Sequence, residues 1–310
     1  MIVVLAGGVG GARFANGLSQ QLGPGELTVI VNVGDDFDHL GLRICPDLDT
    51  VTYTLAGLNN RELGWGQVGE TWSFMDALRG LGGPDWFNLG DRDLASHVLR
   101  THRLAAGEPL SAIVADYAAR RGIAQRIVPA TDDPLRTKVL TDEGELDFQD
   151  YFVRRRCEPV FRSIRFAGAE SARVQPQALA ALADPALEAV LIAPSNPLLS
   201  LAPILAVREL AEALAARRVP CIAVSPFIAG QAVKGPAAKI LRELGLEPGP
   251  AAVAAHYGDL IDGLVIDHAD TAHLARPALL RTDILMRGDA GQQRLAAEVL
   301  AFARSLGAGD

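Results

Sequence analysis

Four short segments carry residue types suited to holding an anionic ligand. Gly7-Gly8-Val9-Gly10-Gly11 follows an aliphatic run and precedes a helical pattern. Glycine lets the backbone come close to a phosphate, and a helix start offers free N–H groups with partial positive charge. The segment is not GxGxxG, because Arg13 stands at the third-glycine position counted from Gly8. Nor is it a P-loop, because no Gly-Lys-Ser/Thr follows. Arg13 adds a bidentate donor for phosphate; a tight turn without ligand is the competing reading. Asp35, Asp36, Asp47 and Asp49 bring four carboxylates into one region, and an extended chain would put Asp47 and Asp49 on one side. Mg²⁺ uses one or two carboxylates plus substrate phosphates, so this donor set suits it; solvated loop charge and helix capping are the alternative. Pro194-Ser195-Asn196-Pro197 offers hydrogen-bonding groups or a helix cap. Lys234 and Lys239 flank a helix start and favour an anion, unless they are plain surface lysines. Asp91-Arg92-Asp93 suits an internal salt bridge as well as a site.

Covalent catalysis has little support. There is no Gly-x-Ser-x-Gly elbow and no HExxH spacing among the six histidines. Cys45, Cys157 and Cys221 are odd in number and far apart, which excludes a zinc-ligand pattern and a disulfide framework.

These loops need a scaffold, and the chain encodes one. Residues 2–5 form an uninterrupted aliphatic run, as in a strand buried on both faces. Residues 13–22 read as a helix and 27–31 as the next strand, a β-loop-α-β opening. After about residue 174 the rhythm returns, with strands at 189–193, 221–225 and 264–267 and helices at 203–217 and 236–244. Between them, 110–120 has helical spacing, and 137–149 reads as a β-hairpin turning at 142–145. The expected fold is α/β, a Rossmann-like doubly wound, mostly parallel sheet with an inserted helical and β-hairpin middle region. The expected division is 1–62 with 174–310 as the core and 63–173 as the inserted lobe. If the strands are parallel, the loops after four of them open on one sheet edge, where such folds bind ligands.

Composition narrows the function. Of 310 residues, 49% are hydrophobic and 21% charged, which excludes a disordered chain. A net charge of −8 argues against nucleic acid as the partner. Residues 189–207 lack charge, but Pro194, Pro197 and Pro203 interrupt them, and the first residues lack a basic leader. No membrane association is expected, and the expected location is cytoplasmic.

Taken in order, GGVGG (7–11), NVGDD (32–36), ICPDLDT (44–50), GWG (64–66), Glu70-Thr71, LGDRD (89–93), Phe148-Gln149, PSNP (194–197) and KGPA (234–237) resemble the 2-phospho-L-lactate transferase family of coenzyme F(420) biosynthesis. The likeness extends to about residue 270, and CPDLDT and LGDRD are its most specific strings. It implies transfer of a phospho-hydroxyacid, phospholactate or a phosphoenolpyruvate-type group, from a guanosine-diphosphate-activated donor. The acceptor would be the terminal ribityl hydroxyl of 7,8-didemethyl-8-hydroxy-5-deazariboflavin (Fo), with GMP leaving. It further implies Mg²⁺, two small-molecule substrates and a homodimer.

Matched motif by motif, Asp49 and Asn88 correspond to deazaflavin contacts, although some relatives carry Lys where Asn88 stands. Gly8, Val9, Gly10, Gly11, Ser195 and Asn196 fall near the guanosine diphosphate, with Arg13 as the added phosphate donor. Asp35, Asp36 and Asp49 are the metal candidates; Asp36 and Asp49 are the catalytic ones, Asp49 polarising the attacking hydroxyl. Trp65, Trp72 and Trp86 are the expected wall for the flat ring, with plain core packing as the alternative. Two other classes share parts of this pattern. Nucleotide-sugar-binding regulators share the glycine loop and PSNP, but the intact CPDLDT, LGDRD and Phe148-Gln149 strings argue against them. A nicotinamide-dependent oxidoreductase wants an acid at the end of the second strand, where Asn32 stands.

Overall fold

Aliphatic runs without alternation need cover on both faces, and seven strands meet that need in one wholly parallel sheet. The computed structural model describes residues 1–272 and 274–308; His273, one of the six histidines, lies outside them. The strands are β1 (Ile2–Ala6), β2 (Leu27–Val31), β3 (Arg126–Pro129), β4 (Ala189–Ile192), β5 (Cys221–Val224), β6 (Gly263–Asp267) and β7 (Ala278–Thr282). Their spatial order is β3-β2-β1-β4-β5-β6-β7. Val3 pairs with Thr28 on one side and Val190 on the other. Every residue of β1, β2, β4, β5 and β6 is buried, so both faces are covered. The chain winds outward from β1 through β2 and β3, then returns to place β4 on β1's other side. The reversal between β1 and β4 is a topological switch point, the place where ligands bind in such sheets.

The helices that matter for the site are α1 (Gly8–Ser19), α2 (Pro46–Leu55), α3 (Asp91–Ala105), α4 (Leu110–Arg120) and α5 (Gly288–Gly307). Helix α1 packs on both α2 and α5. Its approach to α5 is close: a Cβ on Gly17 would lie 2.2 Å from the Gln292 carbonyl oxygen.

The Rossmann-like parallel sheet stands as expected, with differences in detail. Helix α1 begins at Gly8, not at residue 13, so the glycine segment is its first turn. Residues 203–217 are not one helix: Ala202–Leu205 and Arg208–Ala215 are separated at Val207. The hairpin forms as Arg136–Thr141 with Gly144–Asp147, and Phe161–Ala167 adds a third antiparallel strand. The middle stretch 63–173 is not wholly an insert, because β3 lies within it and belongs to the main sheet beside β2. Around the three-stranded sheet, Val139, Phe148, Tyr151 and Phe161 form a small second core with Leu199 and Ile240. No described helix is long and apolar enough to cross a membrane.

Candidate functional site

The loops after β1, β2, β4 and β5 open at the same sheet edge and line one cavity of about 710 Å³. The β1 and β4 loops are locked together. Ser195 Oγ donates to the Gly7 carbonyl at 2.6 Å, and a Cβ on Gly10 would lie 2.4 Å from the Pro194 carbonyl oxygen. Gly10 and Gly11 are therefore demanded first by packing of the β4 loop, and ligand approach comes second. Asn196 uses its Oδ1 to accept the Leu198 and Leu199 N–H groups, leaving Nδ2 without a partner at the cavity. Capping and ligand binding are thus compatible in one side chain.

The four aspartates divide. Segment 46–55 is helical rather than extended, so residues two apart point about 200° away from each other. Asp47 faces the cavity, taking a hydrogen bond from Asn32 Nδ2 at 2.9 Å, and its Oδ2 would lie 2.8 Å from a Cβ on Gly7. Its carboxylate thus already sits on the start of α1. Asp35 lines the cavity beside it, with Oδ1 buried and unpartnered. Burial pushes the Asp47 carboxyl up to about 6. Burial, and then the neighbouring Asp47 charge, raise the Asp35 carboxyl well above its usual range. Neither carboxylate has a cationic partner among the described residues.

Asp49 and Asp36, expected at the metal and as catalytic groups, are not on the cavity wall. Asp49 is ion-paired with the buried Arg100 of α3, and its Oδ2 lies 3.6 Å from His97 Nδ1. Burial lifts the Asp36 carboxyl to about 7 against the nearby Cys45 thiol and the charges of Arg136, Arg100 and Arg43, and its Oδ1 is buried without a partner. Among the described residues no three His, Cys, Asp or Glu side chains form a metal cage by themselves. A cation here would rest on Asp35 and Asp47 and complete its shell from substrate and water, as Mg²⁺ does.

Positive charge and aromatic surface share the same cavity. Arg13 and Lys234 line it without a carboxylate partner among the described residues, and burial followed by the Arg13 charge lowers the Lys234 amine. Asn88 lies on the wall next to Trp86 and Phe87, its Oδ1 held by Arg79 Nη2 at 3.2 Å. Of the three tryptophans, Trp65 and Trp86 reach the cavity, whereas Trp72 backs Trp65 at 5.9 Å between ring centroids. Phe148 and Phe152, stacked at 5.3 Å, add a flat wall that sequence reasoning missed because Phe148 was read as hairpin. Met286, Arg287 and Gln292, also on the wall, come from the beginning of α5 and the segment before it, far from any motif. The cysteines supply no nucleophile: burial holds Cys157 near 11, Cys221 near 12 and Cys45 well above its usual value.

A parallel sheet whose switch-point loops line one crevice defines a doubly wound α/β protein. The description "2-phospho-L-lactate transferase CofD" matches residues 2–301, and the chain belongs to that family of transferases. It is 44% identical over 281 residues to a phosphoenolpyruvate transferase of Streptomyces coelicolor, covering 89% of this chain and 88% of that protein. Phosphoenolpyruvate transferases of Thermobifida fusca (44%, 87% of each chain) and Mycobacterium tuberculosis (40%, 92% and 93%) are similar throughout. Among solved structures, a UPF0052 family protein from Bacillus halodurans superposes with TM-score 0.61 over 96% of this chain and 98% of its own. At 12% identity that likeness speaks for the fold alone.

Proposed function

We propose that this protein transfers a phosphoenolpyruvyl group from enolpyruvyl-diphosphoguanosine to the terminal ribityl hydroxyl of Fo, releasing GMP, in coenzyme F(420) biosynthesis. The observation that carries the proposal is that one cavity is lined both by the nucleotide-type loops and by Trp65, Trp86, Phe87 and Asn88. A charged donor and a flat acceptor would share that space. The names of the relatives favour enolpyruvate over lactate or glycerate as the donor acid.

In this reading the start of α1, Arg13 and Lys234 receive the donor's anionic oxygens. Asn196 Nδ2 offers one further donor. The carboxylates of Asp35 and Asp47 would repel a diphosphate, and the two together fit a Mg²⁺ ion, which when bound would neutralise the donor's charge. The aromatic wall orients the deazaflavin. Attack on phosphorus is direct, because transfer of this kind depends on positioning and charge stabilisation more than on a covalent nucleophile. Asp49 acts from behind the wall by pinning α2 to Arg100.

Incubation with Mg²⁺, Fo and the enolpyruvyl, lactyl and glyceryl donors in parallel tests this. One GMP should appear per phosphodiester product, fastest with the enolpyruvyl donor and without a phospho-enzyme. Absence of any deazaflavin product on chromatography, with all three donors at saturating metal, would refute it.

A further inference from the structure

Asn32 follows directly on β2, the position at which dinucleotide-binding sheets hold an acid toward a ribose. Here the side chain is fully buried and turned inward. Its Nδ2 donates to Asp47 Oδ2 at 2.9 Å, and its Oδ1 accepts the Gly34 N–H at 2.8 Å. One amide therefore joins the two segments that bring carboxylates to the cavity, the turn carrying Asp35 and the first turn of α2 carrying Asp47. The turn itself has little freedom: a Cβ on Gly34 would lie 2.6 Å from Thr137 Oγ1 and 2.7 Å from Pro203 Cβ.

The chemistry of the amide suits this place. A Lys or Arg at position 32 would neutralise Asp47 and compete with a cation for it. An Asp would add a third negative charge and lose the donor. An amide fixes the carboxylate by a hydrogen bond and leaves its charge available. The Asn32 amide is the one hydrogen-bond donor to the Asp47 side chain among the described residues.

We propose that Asn32 is a positioning residue that sets the spacing of Asp35 and Asp47 for a shared divalent cation, and so determines how tightly the cavity takes a metal–diphosphate. The proposal rests on the Mg²⁺ reading given above. It is tested with Mn²⁺ as the probe, its free concentration followed by electron paramagnetic resonance in the presence of GDP. Wild type, Asn32→Leu, Asp47→Asn and the double variant complete a cycle, with circular dichroism to establish that each is folded. Partners that orient a metal's ligands are worth about 10–100-fold in affinity, so Asn32→Leu should weaken Mn²⁺ by roughly tenfold or more. The same substitution should cost clearly less in the Asp47→Asn background, because the part of its effect that runs through Asp47 is already lost there and only the hold on the Asp35 turn remains. Should Asn32→Leu fail to fold, Asn32→Ser, which shortens the reach and keeps a hydroxyl, takes its place in the cycle. A folded Asn32 variant with Mn²⁺ affinity within about twofold of wild type overturns the proposal, as does a loss that adds in full to that of Asp47→Asn. If Asp47→Asn itself leaves Mn²⁺ binding intact, the metal reading of the cavity falls, and the role of Asn32 with it.

Discussion

Asp47 and Asp49 stand two residues apart and serve opposite faces of one helix. Asp47 reaches the cavity and the start of α1, and Asp49 reaches the buried guanidinium of Arg100. The sequence does contain the signal for that helix, since Pro46 at its first position and acids in its first turn are a helix-start pattern. Read as a loop, the same residues promised a four-carboxylate cluster that the fold does not assemble. Gly8, Arg13, Ser195 and Asn196 were legible because strand ends and helix starts betray them locally. Lys234 owes its significance to Arg13, more than two hundred residues away, which no local pattern shows. Asp36 offers a residue-scale test. Burial raises its carboxyl from 3.8 to about 7 in the folded protein. The folded state therefore holds a proton that the unfolded state has lost between about pH 4 and 7, and wild-type stability falls across that window. Asparagine cannot ionise. Denaturant titrations of metal-free protein should show Asp36→Asn gaining on wild type by up to about 1.4 kcal/mol per pH unit over the window, then levelling off. Parallel curves for the two proteins would mean that Asp36 is ionised throughout.

At the scale of elements, α2 is the piece that sequence reading missed and the site depends on. Its outer face is pinned to α3: Asp49 pairs with Arg100, and the Tyr53 hydroxyl donates to Asp93. Arg121, just past the end of α4, lies 5.5 Å from the Tyr53 ring centroid and adds a cation–π contact. This buried polar layer fixes the helix whose opposite face presents Asp47 to the cavity. Strands β1, β2, β4, β5 and β6 were readable because buried strands are continuous aliphatic runs. Strand β7 was not, since it lies at the sheet edge with polar residues such as Arg281 and Thr282. Strand β3, four residues at the other sheet edge with Arg126 exposed, is too short to stand out. The pinning predicts that Asp49→Ala loses about 3–5 kcal/mol in urea denaturation, because it strands a buried guanidinium. Asp49→Ala combined with Arg100→Met should recover most of that stability. If Asp49→Ala melts like wild type yet turns over at least about two orders of magnitude more slowly, Asp49 touches the reacting groups after all.

For the whole molecule, a chain of net charge −8 gathers Arg13, Arg61, Lys234 and Arg287 around a single crevice. Global charge argued against a nucleic-acid groove and said nothing of this local reversal. The crevice is built from both ends of the chain, from residues 7–10 after β1 to 284–288 before α5, so its closure is a property of the entire fold. Two contacts already span it. Arg61 pairs with Asp289 at 3.0 Å, and Gly64 lies so near Lys234 that a Cβ there would stand 2.4 Å from Nζ. Transfer to a hydroxyl rather than to water requires the donor to be enclosed, and segments carrying these contacts are the ones able to enclose it. Binding of GDP with Mg²⁺ should therefore protect residues 61–65, 233–236 and 284–288 together from hydrogen exchange. At ligand a hundred times above its dissociation constant, linkage adds about 2.7 kcal/mol to global stability. Exchange slowing beyond that increment, confined to these three segments, is the signature of closure. Uniform slowing across the sheet would show that the donor binds without drawing the mouth together, and protection limited to residues 7–10 and 194–196 would place the nucleotide at the switch point alone.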